Sequence, residues 1–180
     1  MVSLQGTFEF YDDKFCQPNN VFRVNPIIQS YSIESVMWYI NKFHPKFAYL
    51  IKLARLDQIM ADSQFHGTVF APLEKSLNEA QLLNMDINTA RKIVKYHFMM
   101  GLFTKAVLYT SNYQQLQSTI KGSYIWAEIV NQEMFLNFTT PILHFDIFLN
   151  NGIIHIINNL LFFNGPLPNN QYQDQESYNH

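Results

Sequence analysis

The chain has 180 residues, enough for one domain whose core needs neither disulfide nor metal. Charged side chains are only 14% of it and the net charge is -2, with Arg23, Arg55 and Arg91 scattered; that excludes a nucleic-acid binder built on clustered cations. The single cysteine, Cys16, excludes an internal disulfide and a multi-cysteine zinc site.

The chain opens on MVSLQGTFEFYDDKF, which lacks the basic start and apolar run of a signal peptide. No conventional export signal is expected, and the chain is expected to be intracellular or virion-associated unless it is processed. No stretch approaches the ~20 apolar residues of a membrane helix. Residues 1–31 carry Phe8, Phe10, Tyr11, Phe15 and Phe22, too many aromatics for a disordered tail. They predict an arm packed on the domain. At the other end, residues 165–180 are polar and rich in Asn and Gln, and predict a disordered tail.

Between these ends the periodicity changes twice. From Ser32 to Leu56 the apolar positions follow helical spacing, with Ile33, Val36, Met37 and Ile40 on one face and Phe47, Leu50, Ile51 and Ala54 on another. Ser32 is the expected cap of the first helix, and Pro45 separates the two. A short strand follows, Thr68–Ala71, stopped by Pro72. A further helix is predicted from Asn88 to Met100, burying Ala90, Ile93, Val94 and His97 and ending at Gly101 as C-cap.

After Gly101 the period shortens to two. Tyr124 to Val130 alternates, as do Met134, Leu136 and Phe138, and Asn131-Gln132 suits a tight hairpin between them. PILHFDIFL and GIIHII read as two more strands, the second buried on both faces and entered by a tight turn at Asn151-Gly152. Helices lead and antiparallel-looking strands follow, so the predicted class is α+β.

Chemical motifs are scarce. There is no GxGxxG, GxxxxGK, HExxH or GxSxG pattern, and no serine sits on a strand-to-helix elbow. The histidines are His44, His66, His97, His144, His155 and His180. His144 and His155 fall on separate predicted strands and, with Asp146, form the one conceivable metal grouping. The plainer reading, histidines hydrogen-bonded at the edge of a core, is favoured. No metal and no cofactor are expected, and the chain is read as a non-enzyme.

Three stretches in order carry a family resemblance. Thr68-Val-Phe-Ala-Pro72 resembles the first signature block of the fasciclin domain, Tyr96-His97 its tyrosine–histidine motif, and Asn151-Gly-Ile-Ile-His-Ile-Ile157 with Leu160-Leu161 its second signature block. SIESVMWYINKFHPKFAYLIKLARLDQIM resembles the paired opening helices. The resemblance spans about Ser32 to Phe163 and implies a fasciclin-like domain over 32–164, a wedge of antiparallel strands with helices packed on one side. Two sites depart from the family pattern: the pair Leu73-Glu74 replaces a helix cap after the first block, and Asn158 replaces an acidic residue after the second.

The resemblance also implies function. Fasciclin domains act as adhesion or protein-interaction modules, so the expected partner is a protein at a surface. An integrin-like receptor enters only through the resemblance, which points to Asp146-Ile147 and to Tyr96-His97. An exposed Asp146 carboxylate can complete the shell of a metal held by a partner; its plainer role is hydrogen bonding at a strand end. Tyr96 and His97 lie at an apolar helix face and are expected to pack internally. Tyr124, Trp126 and Phe135 share one hairpin and suit either a contact surface or the second face of a covered sheet. Asn137-Phe-Thr139 matches a glycosylation sequon, better explained by chance on a predicted strand. The alternative function is an internal structural or assembly protein that keeps the fold without adhesion.

Overall fold

The computed structural model describes residues 34–162. The predicted arm (1–31), Ser32 and the tail (165–180) lie outside the described residues.

Two helices open the domain. α1 (Val36–Phe43) is capped by Ser35, whose hydroxyl oxygen accepts from the Trp38 amide, so the cap sits three residues beyond the expected Ser32. α2 (Pro45–Leu53) starts on Pro45, whose missing N–H costs a first turn nothing. The Lys46 amide in that turn donates to the Glu74 carboxylate, which burial pushes toward higher pKa. α3 (Asp57–Ala61) then leads into β1 (Gly67–Pro72). After β1, Leu73 gives no side-chain cap to the short 3-10 turn Glu74–Ser76, as its sequence implied.

α4 (Glu79–Leu83) and α5 (Ile87–Tyr96) follow, the latter capped by Asp86. α5 is shorter than predicted. Phe98–Met100 leaves the helix and becomes β2, paired antiparallel with Gly67–Val69. The apolar run Phe98-Met99-Met100 fits a strand as well as a helix end, and the open edge of β1 decides between them. Gly101, at φ +100°, therefore ends a strand and not a helix.

The remaining elements are α6 (Lys105–Leu108), β3 (Tyr113–Gln117), β4 (Tyr124–Val130), β5 (Glu133–Leu136), β6 (Thr140–Leu149) and β7 (Gly152–Ile157). The β4–β5 hairpin turns on Asn131-Gln132, both at positive φ (50° and 70°), as a type I′ turn requires. Phe138 does not continue β5. It lies with Asn137 in a second left-handed turn (φ 65° and 47°).

The seven strands form one sheet in the order β2-β1-β7-β6-β5-β4-β3. All neighbours are antiparallel except β1 and β7, which run parallel from Gly67/Gly152 to Pro72/Ile157. The predicted α+β class holds, with this one parallel pair making the sheet mixed. β7 lies third from one edge and every residue in it is buried. Ile154 and Ile156, with Val69, Ala71 and Phe98, pack against Val36, Ile40, Phe47, Ile51 and Val94 of the helices. On the other face Ile157, Phe70 and Met99 join Leu116, Ile125, Met134 and Leu136, so β3–β5 fold back over the sheet. Two apolar faces on one strand explain GIIHII.

Gly152 serves close approach and not a turn. A Cβ there would stand 2.6 Å from the Gly67 carbonyl oxygen and 2.9 Å from a Val36 methyl. Gly152→Ala is expected to cost about 2 kcal/mol or more by overpacking a site walled by backbone. A urea unfolding midpoint unchanged from the parent would contradict this.

Candidate functional site

Asp146 lies on β6 at a bulge, where the pairing with β7 slips between His144 and Ile147. Its backbone is left-handed (φ 59°), a conformation aspartate tolerates better than most residues. Its amide donates to His155 Nδ1 (3.1 Å), and its Oδ1 accepts from the Lys105 amide at the start of α6 (2.8 Å). Since Nδ1 accepts, the His155 proton is on Nε2, which donates to the Phe103 carbonyl (2.7 Å). Thr68 completes the set. Its hydroxyl donates to Gly101 O and accepts from Phe103 N, each at 2.8 Å.

These three side chains come from adjacent strands: Thr68 from β1, His155 from β7, Asp146 from β6. Together they staple the segment 101–105 across the sheet. His155 is fully buried, its ring between Phe70 and Phe145 at centroid distances of 5.7 and 5.5 Å. Burial lowers its pKa, so the ring is neutral. The conceivable His144/Asp146/His155 metal grouping is not assembled. His144 is exposed and pairs with Ile156, on the sheet face opposite His155, while both His155 nitrogens are occupied by backbone. Among the described residues no group of three or more His, Cys, Asp or Glu side chains is placed to hold a metal ion. Ile147, beside Asp146, is half-buried against the helix-side core.

Tyr96 and His97 form a second fastening at the end of α5. His97 Nδ1 donates to Ile93 O and Nε2 accepts from the Leu161 amide, both at 2.8 Å. Complete burial pushes its pKa down to about 4. The Tyr96 hydroxyl donates to Tyr124 O (2.8 Å) and accepts from Asn137 Nδ2 (2.9 Å), and Asn137 Oδ1 accepts from the Trp126 amide (3.0 Å). Tyr96 is 4% exposed and His97 0%. The sequon nitrogen of Asn137 is likewise engaged internally.

A third fastening went unread in the sequence. Asn151 is 1% exposed. Its Oδ1 accepts from the Val36 amide (2.7 Å), and its Nδ2 donates to Met60 O (2.9 Å) and Asp62 O (2.8 Å). One amide side chain thereby ties the start of α1 and the end of α3 to the start of β7. Asn-Gly reads locally as a turn, and nothing in the sequence marks helix ends as its partners.

The polar residues of all three sequence stretches thus close the fold. The Fasciclin domain family matches residues 43–163. The chain belongs to the fasciclin domain family. A fasciclin domain is generally an adhesion or protein-interaction module. No curated protein matches the chain. Among solved structures, a FAS1 domain pair from the insect cell adhesion molecule Fasciclin I is similar, with TM-score 0.60 and 18% identity. The alignment covers 72% of this chain and 51% of that one. The present chain therefore corresponds to about half of that domain pair, and at this identity the likeness concerns the fold. None of the helices among the described residues is long and apolar enough to cross a membrane.

The hairpin aromatics Tyr124, Trp126 and Phe135 are only partly covered. Tyr124 is 40% exposed, and Trp126 and Phe135 are half-buried. Trp126 stacks on Tyr113 at 5.0 Å, and Tyr113 on Phe138 at 6.3 Å. Tyr113 was not anticipated, because YQQLQ lacks the apolar alternation that marks a strand.

Proposed function

We propose that this fasciclin domain is a non-enzymatic adhesion or protein-interaction module, displayed on a cell or particle surface, with Asp146 as its contact residue. The setting of Asp146 carries the reading. The side chain is half-exposed, its amide and one carboxylate oxygen are fixed, and Phe148 two residues on is 66% exposed. A carboxylate already held in place loses little entropy when a partner engages it. It can complete the coordination shell of a divalent cation carried by an integrin-type receptor. Ile147, Tyr96 and His97 serve the contact indirectly, by holding the frame. The description of the similar structure as a cell adhesion molecule supports the same reading. So does the use of both ring nitrogens of His97 and His155 for backbone hydrogen bonds, which leaves neither ring for proton transfer.

The test is attachment of integrin-bearing cells to a surface coated with the full chain. Attachment should exceed that on albumin and fall about tenfold with Asp146→Asn, which removes the contact charge. Asparagine keeps both the acceptor for Lys105 and the tolerance for positive φ, so the melting temperature should stay within a few degrees. Attachment no better than albumin, or unchanged by Asp146→Asn, would favour an internal structural or assembly role.

A further inference from the structure

We propose that Asn151-Gly152 is a latent modification site, at which an opened chain loses ammonia from the Asn151 side chain and is thereby barred from refolding. The folded domain holds the same pair inert. This goes beyond the adhesion reading and does not depend on it.

The reaction needs water and no other reagent. The Gly152 backbone nitrogen attacks Asn151 Cγ and a new N–C bond forms. The Cγ–Nδ2 bond breaks, and the side-chain nitrogen leaves as ammonia, taking the Gly152 amide proton. Water then opens the five-membered imide at either carbonyl. Opening at Cγ gives aspartate; opening at the backbone carbonyl gives isoaspartate. Nothing is oxidised or reduced. Glycine hinders the attack least, since it puts no Cβ beside the nitrogen and lets the backbone take the ring conformation.

The fold closes this route. The Asn151 amide accepts from the Val36 amide (2.7 Å) and donates to Met60 O (2.9 Å) and Asp62 O (2.8 Å), and ring closure would break all three bonds. The side chain is 1% exposed, so water has no path in and ammonia none out. Gly152 is set in β7 opposite Leu149 of β6 and Gly67 of β1, with the Gly67 carbonyl oxygen 2.6 Å from where a Cβ would stand. Reaction therefore waits on opening of the joint between α1, α3 and β7.

The joint leaves no safer pair to use. Aspartate at 151 lacks the donor that Met60 O and Asp62 O need, glutamine carries its amide one methylene further out, and any Cβ at 152 meets backbone. The geometry that stabilises the folded chain thus demands the dipeptide that is most reactive in the unfolded one. Both products block return. Aspartate sets a carboxylate against two carbonyl oxygens. Isoaspartate routes the main chain through Cβ and Cγ, and the added methylene displaces β7 from its register with β1 and β6. Chemical change confined to the unfolded state drains the folding equilibrium one way, so each long opening retires a molecule.

The experiment incubates the full chain at mildly alkaline pH, folded in buffer or unfolded in guanidinium chloride. Conversion at Asn151 is followed by mass spectrometry of chymotryptic peptides. Cleavage at Leu149, Leu160 and Leu161 separates this pair from Asn164-Gly165, the other Asn-Gly in the sequence. Conversion at Asn151 is expected to be at least about tenfold slower in the folded chain, because the joint must open first. When the denaturant is diluted away, the refolded fraction should be depleted of chains converted at Asn151. A folded rate within tenfold of the unfolded one overturns the proposal, as does a lack of conversion at Asn151 in denaturant. Converted chains that refold in the same proportion as unconverted ones, with the parent's melting temperature, also overturn it.

Discussion

Replacing Asn151 with alanine is expected to lower the unfolding free energy by about 3–5 kcal/mol. The truncation strands the Val36 amide and the Met60 and Asp62 carbonyls in a site where Asn151 is 1% exposed, and each buried group left unsatisfied costs about 1–3 kcal/mol. The loss falls on a joint between α1, α3 and β7, so the helix layer and the sheet loosen together. Asn151→Asp should be no milder. It keeps the acceptor for Val36 but sets a carboxylate against two carbonyls that need a donor. Equilibrium urea unfolding of both variants gives the answer. A loss under about 1 kcal/mol for the alanine variant would mean that water replaces the side chain, and the joint would not depend on Asn151.

Acidification from pH 7 to 4 is expected to destabilise the domain by about 3 kcal/mol through His97 alone. In the unfolded chain this histidine binds a proton below about pH 6.5, and in the folded domain only below about 4. Between those values the unfolded state holds more protons, so stability falls as pH falls, by about 1.4 kcal/mol per unit, and levels off near pH 4. His155 and His44 act in the same direction, since burial lowers both. Glu74 acts oppositely: burial raises its pKa, so acid relieves a buried charge. The assignment to His97 is checked with His97→Gln, which lacks the titrating ring. That variant should be less stable at pH 7 and show a shallower loss toward pH 4. Parallel stability curves for parent and variant would remove His97 as the source.

The signature residues were legible while their partners were not. Thr68, Tyr96, His97 and His155 all stand in stretches that sequence reading marked out. Yet His155 bonds to Phe103, His97 to Leu161 and Thr68 to Gly101, at sequence separations of 52, 64 and 33. No periodicity records a contact of that kind, because a side chain's hydrogen-bond partner is chosen by the whole fold. Asn151 is the extreme case. Its Val36 partner is 115 residues away, and its local signal, Asn-Gly, reads as a turn. The expectation that His155 is a satisfied core residue needed only the apolar alternation on both sides of it. Its tautomer needed the fold, since the Asp146 amide dictates which nitrogen carries the proton.

Hydropathy patterning determined what depends on which side chains must leave water. It marked the pair α1 and α2 broken at Pro45, the hairpin at Asn131-Gln132, a β7 apolar on both faces and the α+β class, while the family came from the resemblance of three stretches to its signature blocks. Tertiary structure decided what depends on which segments meet. Phe98–Met100 became a strand because the edge of β1 was there to pair with, although the same residues could have finished a helix. β1 and β7 run parallel because the chain returns to the middle of the sheet after crossing it. Asp146 sits on the surface because a bulge slips the β6 register by its own geometry. Burial demand is a property of each residue and is written along the chain; register, edge and exposure belong to pairs of distant segments and exist only once the chain has folded.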